Sequence, residues 1–135
     1  MLASDQHKFF GVHVLGEIRG INSKLLNNKE LLEEILKEGI IKSNATLCEI
    51  QGKSFDPSGV TLLALLSESH ASIHTYPDYS ALFFDAFTCG DTCQPMLIAE
   101  TLIKRLEATH HEIKTIYRGD HPLSYLSYNG HLPSV

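Results

Sequence analysis

A chain of 135 residues, 43% hydrophobic and 20% charged, has the size and composition of one domain that can hold a core without staples. Its 16 acidic against 11 basic side chains give a net charge of −5 with no basic run, which argues against a nucleic-acid or anionic-membrane partner. No apolar run nears the ~20 residues of a membrane span, residues 1–8 show no charged-then-apolar leader pattern, and the 3 cysteines are too few for a disulfide framework, so a reducing, cytoplasmic setting is expected.

Residues 8–18 alternate, with Phe10, Val12, Val14, Gly16 and Ile18 on one face and Phe9, Gly11, His13, Leu15 and Glu17 on the other, which predicts a strand. Asn27 and Asn28 are N-cap candidates for a helix reaching Ile41, with Leu31, Leu32, Ile35 and Leu36 as its apolar stripe. A strand is expected over 45–51 and a loop over 52–59, where Gly, Ser, Asp and Pro gather. The apolar run 60–66 reads as a buried central strand. Residues 70–76 alternate again, Pro77 and Asp78 make a turn, and 81–88 form a Phe-rich strand. Asp91 or Thr92 would cap a second helix over 95–109, striped by Ile98, Leu102, Ile103 and Leu106. A last strand is expected over 112–117, and from Arg118 the chain is polar and turn-rich, with no clear period.

The resulting order β-α-β-β-β-β-α-β joins its middle strands by short turns, which demands antiparallel pairing. Two helices with one apolar stripe each can cover one face of such a sheet, giving a two-layer α+β sandwich over a single domain, residues 1–135. The other face would carry Ser72, His74 and Tyr76, and an uncovered face with apolar neighbours makes a homodimer an expectation.

The densest chemistry lies between Ser67 and Asp91. His70 and His74 would share a metal on a helix, but on a strand the same spacing parts their rings by about 13 Å, so no metal site is expected. Cys89, His74 and Asp85 offer the residue types of a nucleophile, a base and an orienter, as in a Cys–His hydrolase. Taken singly, each of these residues is also an ordinary strand or core side chain.

Taken together, Ser67-Glu68-Ser69-His70, Ile73-His74-Thr75, Pro77, Tyr79, Asp85 and Phe87-Thr88-Cys89-Gly90 resemble the signature of the prokaryotic S-adenosylmethionine decarboxylase proenzymes. Gly11, His13, Glu17, Phe55 and Gly59-Val60-Thr61 match more weakly upstream. The resemblance implies a self-made cofactor. The Ser69 hydroxyl would attack the Glu68–Ser69 peptide bond, and elimination would leave a pyruvoyl group on Ser69, splitting the chain into 1–68 and 69–135. That group is an electron sink which holds the substrate amine as a Schiff base. The resemblance gives His74 the role of processing base, Cys89 that of proton donor to the decarboxylated carbon and Thr61 that of hydroxyl support. It assigns Phe55, Tyr76 and Asp78 to substrate binding, and S-adenosylmethionine as substrate, for spermidine synthesis. The family usually reads His-Thr-Trp-Pro-Glu-Tyr-Gly where this chain has His74-Thr75-Tyr76-Pro77-Asp78-Tyr79-Ser80. Those changes fall on the substrate side, so ornithine or arginine is the alternative substrate; a hydrolase or a non-enzymatic small-molecule-binding domain is more distant.

Overall fold

The computed structural model describes residues 8–67, 69–89 and 91–127. The first strand, β1 (Phe10–Arg19), is followed by a short helix, α1 (Ser23–Leu26), and the longer α2 (Lys29–Lys42). Four strands come next, β2 (Leu47–Ser54), β3 (Val60–Leu66), β4 (Ser69–Tyr76) and β5 (Ala81–Cys89), with a 3-10 turn at Pro77–Tyr79 before the last. Helix α3 (Met96–Arg105), strand β6 (His110–Gly119) and a short α4 (Ser124–Ser127) complete the order. The six strands form one antiparallel sheet, ordered β2-β3-β4-β5-β1-β6. Thus β1 sits between β5 and β6, and α2 and α3 carry the chain across the sheet to its two edges.

Both long helices lie on one face, as the single stripe on each requires. Leu32, Ile35, Leu36 and Ile40 of α2 and Ile98, Ala99 and Leu102 of α3 are buried with Val14, Ile18, Leu62, Ile73, Leu82 and Phe84 of the sheet. The Asn28 side chain caps α2 by accepting from Leu31 N at 3.0 Å. At Gly39 the two helices meet so closely that a Cβ would lie 3.1 Å from Ile98 Cα. Gly16 is a second close approach: a Cβ there would fall 1.9 Å from the Glu112 carbonyl oxygen of β6.

Several expectations need correction. Strand β3 is buried on one face only, because Leu63 and Leu65 are 53% and 57% exposed. Both helices cover the Leu62 and Ala64 side, so the unbroken apolar run reflects a second face left bare within this chain. The expected loop over 52–59 is shorter: Gly52 to Ser54 continue β2, paired with Leu62 to Val60, and the end of the Leu62 side chain lies over Gly52, 2.4 Å from where a Cβ would be. Neither Asp91 nor Thr92 caps α3, which starts after Pro95 without a side-chain cap. It also stops at Arg105, where Glu107 turns to a φ of 51° and Thr109 N bonds Arg19 O to start β6. Helices α1 and α4 were not anticipated. Asn22 caps α1 through Lys24 N, and the Ser127 hydroxyl of α4 accepts from Tyr117 N.

Candidate active site

The helix-free face carries the chemistry. Register places His70, Ser72, His74 and Tyr76 of β4 beside Leu65, Leu63 and Thr61 of β3 on one side and Phe87, Asp85 and Phe83 of β5 on the other. Across β5, the same face continues into Gly11, His13, Leu15 and Glu17 of β1.

One end of this face gathers five of the predicted residues. Phe55, Thr61, His74, Tyr76 and Asp78 line a cleft of about 340 Å³ between the β2–β3 turn and the 3-10 turn. Thr61 faces His74 across the ladder, and its Oγ1 stands 3.1 Å from His74 Nδ1. The Tyr76 ring leans on Phe83 at 4.9 Å. Thr75 fixes the floor from below: its hydroxyl donates to Leu26 O and accepts from Val60 N, both at 2.8 Å. Asp78 and Phe55 are exposed at the rim.

At the other end Cys89 stands on this face, while Ser69 begins β4 in step with Ala71 and Ile73, on the helix-covered side. Ser69 opens β4 opposite Leu66, half-buried, and its hydroxyl turns back along the chain to donate to Ser67 O at 3.4 Å. Glu68, the other half of the expected cleavage site, lies outside the described residues, as does Gly90. Cys89 is half-buried opposite Gly11 and borders a second cleft of about 370 Å³ with Phe10, Phe87 and Arg118. Gly11 carries no side chain because the Phe87 ring occupies the space, 2.4 Å from where a Cβ would be.

These two ends do not meet within one chain. Five residues at ~3.3 Å each place His74 about 17 Å along β4 from Ser69. The hydrolase arrangement fails on the same geometry: His74 pairs opposite Phe83, far down β5 from Cys89, and Asp85 is engaged elsewhere.

Asp85 is the centre of a polar cluster that sequence reading did not assemble. Its Oδ2 lies 2.8 Å from both His13 Nε2 and His70 Nε2, and Ser72 donates to Oδ1. Arg118 Nη1 lies 3.2 Å from His13 Nδ1. Arginine only donates, so His13 accepts at Nδ1 and keeps its proton on Nε2, which donates to Asp85. Three candidate ligand atoms lie within 4.8 Å of one another here. A cation on His13 Nε2 would move the proton to Nδ1 and set it against the guanidinium, so these residues are spent on each other. Alternation put His13 and Ser72 on definite faces; only the strand register could bring them to Asp85.

Burial opposes ionisation of Asp85, but hydrogen bonds from Ser72, His13 and His70, with the His70 charge, outweigh it and lower the carboxyl pKa below 3.8. A lowered pKa contributes stability that is complete above the unfolded value and lost as pH falls through the folded one. Asp85→Asn is therefore expected to melt a few degrees below the wild type near neutral pH. That gap should close as pH drops below 3.8, measured by thermal unfolding across the acid range.

Comparison with known proteins bears on what this face does. The family model described as S-adenosylmethionine decarboxylase matches residues 12–119. "S-adenosylmethionine decarboxylase proenzyme 2" of Bacillus cereus (strain ZK / E33L) is 37% identical over 114 residues, covering 84% of this chain and 93% of the relative. The S-adenosylmethionine decarboxylase proenzyme of Brevibacillus brevis is 38% identical over 114 residues, 84% of this chain and 86% of the relative. The crystal structure of the adenosylmethionine decarboxylase from Aquifex aeolicus VF5 matches with a TM-score of 0.76 and 27% identity, covering 84% of this chain and 93% of that one. The sheet with one bare, histidine-rich face is thus that of an α+β decarboxylase, a carbon–carbon lyase. The chain belongs to the S-adenosylmethionine decarboxylase family. These names do not favour the ornithine or arginine alternative. No helix among the described residues is long and apolar enough to cross a membrane.

Proposed function

We propose that this chain is a proenzyme that cuts itself between Glu68 and Ser69, carries the resulting pyruvoyl group on Ser69, and decarboxylates S-adenosylmethionine to the aminopropyl donor for spermidine synthesis. The observation that carries the proposal is the placement of Ser69 at the mouth of the β3–β4 hairpin, its hydroxyl turned back toward the chain it would attack. That placement fits the group, since a cut in the connection leaves the pairing of Thr61 to Leu66 with His74 to Ser69 in place. The group supplies an electron sink for the pair left by departing CO₂.

The remaining chemistry belongs to side chains of this protein. The Ser69 hydroxyl attacks the carbonyl before it to give an ester, a base removes the Ser69 α-proton so that the Glu68 carboxylate leaves, and water hydrolyses the resulting dehydroalanine to the pyruvoyl group with release of ammonia. His74 is that base, oriented by Thr61. Cys89, as a neutral thiol in a reducing cytoplasm, returns a proton to the substrate carbon. Phe55 and Tyr76 offer aromatic faces to the adenine and the sulfonium charge, and Asp78 reaches the ribose hydroxyls.

Because His74 lies about 17 Å along the strand from Ser69, the reading requires a second copy. A two-fold axis lying between two facing sheets and perpendicular to the strands reverses β4. It sets the Ser69 end of one protomer over the His74 end of the other. Face-to-face sheets stand about 10 Å apart, close enough for side chains of both to share a site. The bare apolar side chains Leu63, Leu65, Tyr76 and Phe83, all more than 40% exposed, are what such packing would bury. The self-cleaved protein is expected to release CO₂ from S-adenosylmethionine and not from ornithine or arginine, in a carboxyl-label assay with the three substrates side by side. Release from ornithine or arginine alone would overturn the substrate assignment.

A further inference from the structure

Arg118 is a cation that the chemistry above leaves without a task. It stands on β6 across Gly11 from Cys89, since Gly11 pairs with Cys89 on one side and with Arg118 on the other. Its guanidinium lies over the Phe87 ring at 5.1 Å and donates to His13 Nδ1. Among the described residues no carboxylate pairs with it. A guanidinium with spare donors, on a face that a second copy would cover, calls for an anion. Lys8 borders the same cleft, but as a point charge on a flexible stem, whereas Arg118 is held by a ring and an imidazole.

We propose that Arg118 receives the α-carboxylate of the amino-acid substrate, and that His13 is the positioning residue that aims it. The inference rests on the decarboxylase reading. A substrate joined through its α-nitrogen at Ser69, with its α-carbon in reach of Cys89, carries its carboxylate one bond from that carbon. Ser69 precedes His70, whose ladder partner Phe87 walls the Cys89 cleft, so the carboxylate must lie in or beside that cleft. Arg118 is the planar fork available there, and fork-to-carboxylate pairing is its strongest recognition mode. His13 in turn is held by Asp85, so the polar cluster sets the direction of the guanidinium.

The charge that Arg118 would recognise disappears as CO₂ leaves, so the contact is stronger in the bound substrate than in the transition state. Removing it should weaken substrate binding without slowing the bound step. Arg118→Met is expected to raise KM by roughly tenfold or more, with kcat unchanged or higher. The decarboxylated product, which lacks the carboxylate, should inhibit the variant as well as it inhibits the wild type. The inference is overturned by an unchanged KM, by a fall in kcat at constant KM, or by an equal loss of affinity for substrate and product. Arg118→Lys, which keeps the charge and loses the fork, carries the same comparison if the Met variant fails to mature. Its discrimination between substrate and product must narrow too, and full retention of discrimination refutes the assignment. A wild type that neither cleaves nor decarboxylates would instead refute the decarboxylase reading itself.

Discussion

Intact-mass analysis of the wild-type protein is expected to show two chains, residues 1–68 and 69–135, and of Ser69→Ala a single chain without decarboxylase activity. The second wild-type fragment should be lighter than a serine-started peptide by one ammonia, because the serine hydroxyl oxygen leaves with the Glu68 carboxylate and water then replaces the terminal amine by a keto oxygen. The loss of activity should be complete rather than partial, since alanine offers neither the attacking oxygen nor a leaving group for the elimination. Folding should survive the substitution. Ser69 sits at the first position of β4, half-buried, and its one side-chain bond is a 3.4 Å contact to Ser67 O. The wild-type fragments should also stay together after cleavage. The first supplies β1, β2 and β3 and the second β4, β5 and β6, yet β1 is inserted between β5 and β6. Separating the halves would break three ladders, β3–β4, β5–β1 and β1–β6, along with the shared core. A comparable melting temperature for cut wild type and uncut Ser69→Ala would show that the cut relieves nothing the fold depends on. An active wild type that remains one chain would sink the self-processing reading.

The interleaving was open to sequence reading only in part. Pattern and composition together located all six strands and both long helices, alternation marking β1 and β4 and a single apolar stripe marking each helix. They overreached at 60–66, where Leu63 and Leu65 read as core and are exposed. An apolar side chain on a bare sheet face cannot be told from one facing a helix by its residue type. They also missed the ends of α3, since the stop at Arg105 depends on Thr109 pairing with Arg19, a contact distant in sequence. The site divided in the same way. The motif named Ser69, His74 and Cys89, but their placement at opposite ends of the sheet is a property of register. So is the convergence of His13, His70 and Ser72 on Asp85, three strands that only pairing brings side by side. Arg118 fell in a stretch with no period of its own and gained a context only through Gly11.

The proposed division of the site between two protomers makes a prediction that no single-chain site can satisfy. His74→Ala keeps Ser69 and loses the base; Ser69→Ala keeps His74 and loses the nucleophile. Each variant alone is expected to stay uncleaved. In a mixed dimer, one composite site joins the intact Ser69 of the first chain to the intact His74 of the second, and the other site lacks both. Co-expression of the two, with tags that separate their masses, should therefore cleave only the His74→Ala chain. With equal amounts and random pairing, about half of those chains meet the complementary partner, which sets the expected yield. The geometry leaves little room for another result. Within one protomer His74 is about 17 Å along a rigid strand from the bond to be cut, and its ring is engaged with Thr61 beside it. No side-chain rotation spans that distance, whereas two sheets about 10 Å apart bring the required atoms within reach. Cleavage of the His74→Ala chain on its own would remove His74 from processing. Absence of cleavage in verified mixed dimers would remove the shared site, and with it the reason for the bare apolar side chains of β3 and β5.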